Sequence, residues 1–87
     1  MNYLDELKDS LAKGKAVVGT RRTVKYLKAN RLKLVIMASN CTEEIRKEIE
    51  NYSKSSNMKV EKFDGTGKQL GLFCGKPFPI AVVSIVK

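Results

Sequence analysis

Leu4, Leu7 and Leu11 stand at i, i+3 and i+7 in an otherwise polar segment, residues 3–13. That spacing draws one apolar stripe along a helix. Asn2 suits its N-cap and Gly14 its end. The period then changes. KAVVG, residues 15–19, is a short apolar run bounded by glycines and predicts a strand. A second helix begins at Thr20 or Arg21 and turns Val24 and Leu27 inward. LKLVIMA, residues 32–38, is β-branched and apolar on both faces, which predicts a central strand covered on both sides. In SNCTEEIRKEIENYS, residues 39–53, Ile45, Ile49 and Tyr52 form a third helical stripe. Glu43 and Glu44 suit its first turn, and either Asn40 or Thr42 can cap it. MKVEKF, residues 58–63, alternates as a strand. TGKQ, residues 66–69, has the capping-box pattern and opens a short helix through Leu70 and Phe73, closed by Gly75. KPFP is a loop, and IAVVSIV, residues 80–86, is a last buried strand.

Helices and strands thus alternate strictly, with short connections. This order predicts one α/β sheet with helices on both faces, a three-layer α/β/α sandwich. Linkers, repeats and low-complexity segments are absent, so residues 1–87 read as one domain. The expected core is Leu7, Val17, Val24, Leu34, Ile36, Ile49, Val60, Val83 and Ile85.

Composition adds little to this picture. With 43% hydrophobic and 30% charged residues, the chain is an ordinary globular one, long enough for a single core. MNYLDELKDSL carries three acids and no apolar block, unlike a secretory leader. No apolar run is long enough to span a bilayer, so no membrane partner is expected. Cys41 and Cys74 have no short spacing, and the sequence has no histidine. A zinc site, a C-x-x-C redox pair and a Cys–His nucleophile therefore lack their residues. The two thiols read as reduced residues of a cytosolic protein. GTGKQLG, residues 65–71, has the wrong spacing for a phosphate loop. No cofactor and no enzymatic chemistry are expected.

Charge adds more. Seventeen basic and nine acidic residues give +8. Residues 15–33 hold Lys15, Arg21, Arg22, Lys25, Lys28, Arg31 and Lys33 and no acid, whereas Glu43–Glu50 has four acids and two bases. A basic block beside a balanced remainder fits a polyanion partner.

Three stretches are candidate contacts. Gly19-Thr20-Arg21-Arg22 joins a strand end to a helix start. Acids are usual there, because the first turn already carries partial positive charge. Two arginines fit a site for an anion; the alternative is a glycine turn before a solvated basic helix. Asn40 follows the central strand, where ligands of open α/β sheets gather. It suits a base edge or, equally, a plain helix cap. LFCGKPFP, residues 72–79, sets Phe78 between two prolines beside Lys76. Phe78 either stacks on an unpaired base or tucks into the core edge.

GTRRTVKYLKANRLKLVIMASN, EIENYS and FDGTGKQLGLFCGKPFPIAVVSI closely resemble the kink-turn RNA-binding ribosomal proteins of archaeal and eukaryotic large subunits. The likeness runs from about Gly14 to Val86. It lies with the L-thirty-e branch, since the sister branch, seven-Ae, tends to carry Gly-x-Asn-Glu where this chain has Gly19-Thr20-Arg21-Arg22. The resemblance implies a four-stranded mixed sheet in an α/β/α sandwich. It implies a non-enzymatic structural component of the large subunit, bound in the cytoplasm to a kink-turn of rRNA with sheared G·A pairs. Neighbouring ribosomal proteins would be further partners, and the protein would be a monomer outside the ribosome. Gly19, Thr20, Arg21 and Arg22 fall on the family's glycine-plus-basic motif, with Lys25 one turn along the helix. Asn40 falls on its strand-end asparagine, and Phe78 on its aromatic loop position, with Gly75 and Lys76 beside it. By resemblance, Arg21 meets phosphate or guanine, Asn40 a loop base, and Phe78 stacks. The chain ends directly after the last strand, where many relatives have a tail, which keeps a stand-alone kink-turn binder as the alternative. A protein-interaction module of the same fold is the other, but such relatives tend to be acidic.

Affinity for RNA should fall as salt rises, with a slope corresponding to roughly three to six phosphate contacts. Titration at several salt concentrations measures it. An affinity that stays flat with salt would contradict the reading of the basic block.

Overall fold

A computed structural model describes residues 2–55 and 58–87. The elements are α1 (Tyr3–Lys13), β1 (Ala16–Val18), α2 (Thr20–Lys28), β2 (Leu32–Met37), α3 (Glu43–Ser55), β3 (Lys59–Lys62), α4 (Gly67–Phe73) and β4 (Val82–Val86). The strands form one sheet in the order β1-β4-β2-β3. β4 runs antiparallel to both β1 and β2, while β2 and β3 are parallel. α3 supplies the crossover that a parallel pair requires. The sheet is therefore mixed, as the resemblance implied.

Each helix starts for a local reason. Asn2 accepts the Asp5 N–H at the head of α1, and Gly14 ends that helix in the left-handed conformation. Thr66 and Gln69 form the expected capping box on α4. In α3 the first helical bond runs from the Arg46 N–H to the Thr42 carbonyl, so the helix starts behind Thr42. Asn40 does not cap it. Its Oδ1 accepts instead from the Gly67 N–H of α4, at 3.0 Å.

Two cores lie on the two sheet faces. Leu34, Ile36, Val83 and Ile85 meet Leu7 and Leu70, from α1 and α4. Val35, Met37 and Val82 meet Leu27 and Ile49, from α2 and α3. Leu32 and Leu34 would share a face in a regular strand. A register irregularity between them turns Leu32 to the α2/α3 side. The intervening Lys33 stays exposed and pairs with Glu6 at 3.3 Å.

Two expected core positions are only half-buried. Val24 gives way to Thr23, because the inward line of α2 runs through Thr23 and Leu27 at i and i+4. Val60 lies on β3, an edge strand with incomplete cover.

Thr23 and Ser84 are both fully buried at 0% exposure. Their hydroxyls are 3.1 Å apart, and Ser84 Oγ in turn donates to the Val17 carbonyl at 3.4 Å. Ser84→Ala should therefore leave the Thr23 hydroxyl unpaired in the core, costing about 1–3 kcal/mol. Thr23→Val keeps the Ser84–Val17 bond and should cost less. Denaturant unfolding of both variants tests this order.

Candidate nucleic-acid interface

At the end of β1 the chain reaches Gly19, with φ 108° and ψ 153°. That region is essentially restricted to glycine. The Gly19 N–H donates to the Val82 carbonyl at 3.0 Å, tying the turn to the start of β4. A Cβ built on Gly19 would meet nothing within 4 Å. The requirement is thus conformational, and the open side permits close approach. α2 starts at Thr20 with no acid in its first turn and no side-chain cap. Arg21 and Arg22 are both exposed there.

The aromatic loop is aimed by the end of α4. Gly75 adopts φ 72°, with its N–H on the Leu72 carbonyl and the Lys76 N–H on the Gly71 carbonyl. These two bonds make a Schellman turn. Pro77, Phe78 and Pro79 then pass directly over Gly71, where a Cβ would overlap the Phe78 carbonyl oxygen. The loop backbone is held from below, yet Phe78 is 50% exposed. Of the two readings of Phe78, burial in the core edge is the one the structure rejects.

These elements enclose a groove of about 420 Å³ lined by Gly19, Thr20, Arg22, Lys76, Phe78 and neighbours from β1 and the β4 approach. No acid lines it. Across the Phe78 ring lies a smaller hollow of about 220 Å³, lined by Lys68, Leu72, Lys76 and the Pro77–Pro79 loop. Asn40 sits one strand over. Gly67, whose N–H it holds, takes the Ile80 N–H on its own carbonyl at 2.8 Å. Asn40 thereby belongs to the same end of the sheet; the residue is exposed, and its amide nitrogen carries two donors suited to another partner.

Five of the sequence-derived candidates therefore line one groove: Gly19, Thr20, Arg22, Lys76 and Phe78. Gly75 shapes the loop one residue earlier. Arg21 and Lys25, at i and i+4, are exposed on α2 but do not line the groove. Sequence reading missed Leu72, which is 68% exposed beside Phe78. The signal was available, since Leu70 and Phe73 define the inward side of α4 and leave Leu72 outside it.

The thiols are not activated. Cys41 and Cys74 are free, and burial raises both above the usual thiol range, against smaller opposite effects of Arg46 and Lys76. A reactive cysteine needs the reverse shift.

Fold and groove together define a class: a small, basic α/β/α sandwich whose cation-bearing turns gather at one end of a mixed sheet. The chain belongs to the ribosomal protein L7Ae/L30e/S12e/Gadd45 family, whose model matches residues 1–87. It is 40% identical to large ribosomal subunit protein eL30 of Saccharolobus solfataricus, over 99% of this chain and 80% of that protein. It is 42% identical to eL30 of Methanothermobacter thermautotrophicus, over 83% of this chain and 74% of that one. A 15.5 kD RNA-binding protein of Giardia lamblia shares the fold, with TM-score 0.79 and 21% identity over 98% of this chain and 71% of that one.

Gly71→Ala should force the Phe78 loop to move and cost about 1–3 kcal/mol, as overpacking does. Phe78→Ala removes a half-exposed ring and should cost less. Thermal melts of the two variants compare them directly.

Proposed function

We propose that this chain is a single RNA-binding domain, residues 1–87, that serves as a structural component of the large ribosomal subunit by holding a kink-turn of rRNA. The observation that carries the reading is the groove itself. It sets a glycine-only turn, Arg22 and Lys76 against an exposed aromatic ring at the end of the sheet. The identity to archaeal eL30 proteins supports the ribosomal setting, in the cytoplasm, with neighbouring ribosomal proteins as further contacts. It acts by binding and not by catalysis.

A kink-turn presents three things at once: closely spaced phosphates, the edges of sheared G·A pairs, and a base expelled from the stack. Each finds a fitting group. Arg22 and Lys76 flank the groove and suit phosphates, while the open side of Gly19 admits backbone closely. Arg21 and the Nδ2 of Asn40 suit a guanine or loop-base edge. Phe78, with Leu72 beside it, offers an apolar shelf for the expelled base. Phosphate contacts position the RNA, and base contacts specify it. Lys25, on the solvated side of α2, belongs to the first kind.

Phe78→Ala should lower kink-turn affinity by about 1–3 kcal/mol and leave binding to plain duplex RNA nearly unchanged. Asn40→Asp retains the acceptor for Gly67 but loses the Nδ2 donors. It should lower kink-turn affinity by a similar amount while the protein keeps its stability. Lys25→Ala should cost less and affect both RNAs alike. Calorimetric titration against the two RNAs reads all three. Unchanged kink-turn affinity in Phe78→Ala would contradict the stacking role.

A further inference from the structure

A second concavity, larger than the groove, runs along the flank of α2 from Arg22 to the turn after the helix. It measures about 530 Å³, and Lys15, Arg22, Tyr26, Asn30, Arg31 and Lys87 contribute to its lining. Of the residues that fall on the family's motifs only Arg22 lies in it, lining both concavities, while Lys15 and Arg31 come from the basic block of residues 15–33.

Its construction follows from the topology. Lys15 precedes β1, Arg31 precedes β2, and Lys87 follows β4, so three strand ends converge. Backbone bonds fix their spacing: the Val86 N–H to the Lys15 carbonyl at 3.0 Å, and the Lys87 N–H to the Arg31 carbonyl at 2.9 Å. Asn30 closes the α2–β2 turn with φ 54°, a left-handed conformation that asparagine tolerates better than most residues. Arg22 and Tyr26, at i and i+4, form the wall along α2.

Four basic side chains line this space, those of Lys15, Arg22, Arg31 and Lys87, and no Asp or Glu does. The ion pairs among the described residues, Lys13–Asp9, Lys33–Glu6 and Arg46–Glu43, all lie elsewhere. Clustered cations without acids repel one another, so the arrangement favours an anionic occupant. The shared Arg22 indicates which one. It borders both concavities, which lie along a helix of nine residues, about 13 Å in length. A stem leaving the groove along α2 would bring its phosphates past Arg22 and over Lys15 and Arg31.

We infer that this cavity is a second phosphate-binding site, which takes the sugar–phosphate backbone of an RNA stem flanking the kink. The inference rests on the RNA-binding reading of the groove. In it the groove recognises the kink, and the cavity grips the stem without reading its sequence.

The test compares two RNAs, a minimal kink-turn with short arms and the same kink-turn with both stems extended by a full helical turn. Wild-type protein should bind the extended RNA more tightly. Lys15→Gln/Arg31→Gln removes two exposed charges that are not part of the groove and leaves the backbone bonds in place. It should weaken binding to the extended RNA about tenfold, with a salt slope shallower by about two, and leave the minimal RNA within about twofold. Lys15→Glu/Arg31→Glu should enlarge the difference, and circular dichroism confirms folding of both variants. Equal weakening on both RNAs, or no weakening on either, overturns the second site. Failure of the wild-type protein to bind the minimal RNA overturns the groove's RNA reading, and this site with it.

Discussion

The buried contact between Thr23 and Ser84 sets how α2 lies on the sheet, and the charged surface follows from it. Successive residues of a helix are about 100° apart. With Thr23 and Leu27 inward, Arg22 and Tyr26 fall on one flank, while Arg21, Lys25 and Lys28 face solvent. A rotation by one residue would drive Arg22 toward the core or withdraw it from both concavities. An aliphatic pair would pack against the sheet with less directional demand. A hydroxyl pair fixes position as well, because each partner is stranded if the helix slips.

Around that anchor the molecule accepts local costs. α2 opens with two arginines and no acid, against its own dipole, typically 0.3–1 kcal/mol for each such charge. Gly19 occupies a conformation that other residues avoid. The aromatic loop holds Phe78 in solvent over a glycine that has no room for a side chain. Each of these lies at one end of the sheet. The opposite faces of β2 and β4 are packed without such irregularities, apart from the turn of Leu32 at its start. Firm packing below and awkward local geometry above are what a pre-shaped binding surface requires, since a surface already in position loses less entropy on binding.

Much of the fold was legible along the chain because its signals are local. The stripes of α1 and α3, the capping box at Thr66 and the apolar run of β2 each report on their own neighbourhood. What was missed depended on distant partners. Nothing near Thr23 marks it as a core residue; its reason, Ser84, is 61 residues away. Val60 alternates like any strand residue, and only the strand order makes β3 an edge. Asn40 looked like a cap for the helix that follows it, but it serves α4, 27 residues on. The candidate interface was legible as three separate stretches. The meeting of two of them at one groove, with Asn40 one strand over, required the sheet order, which spacing alone does not supply, and Leu72 joined them only once the loop's path was known.

The edge strands carry a further consequence. β3 presents one side to open solvent with Lys59 and Lys62 exposed at its two ends, and the other edge, β1, is three residues long. A free edge is a template on which another chain can hydrogen-bond, and lysines or brevity blunt it. β3 carries Lys59, Glu61 and Lys62, a net positive charge that disfavours a second copy there, and one approaching β1 would find almost no ladder to extend. The positive charge that suits a polyanion also keeps copies apart.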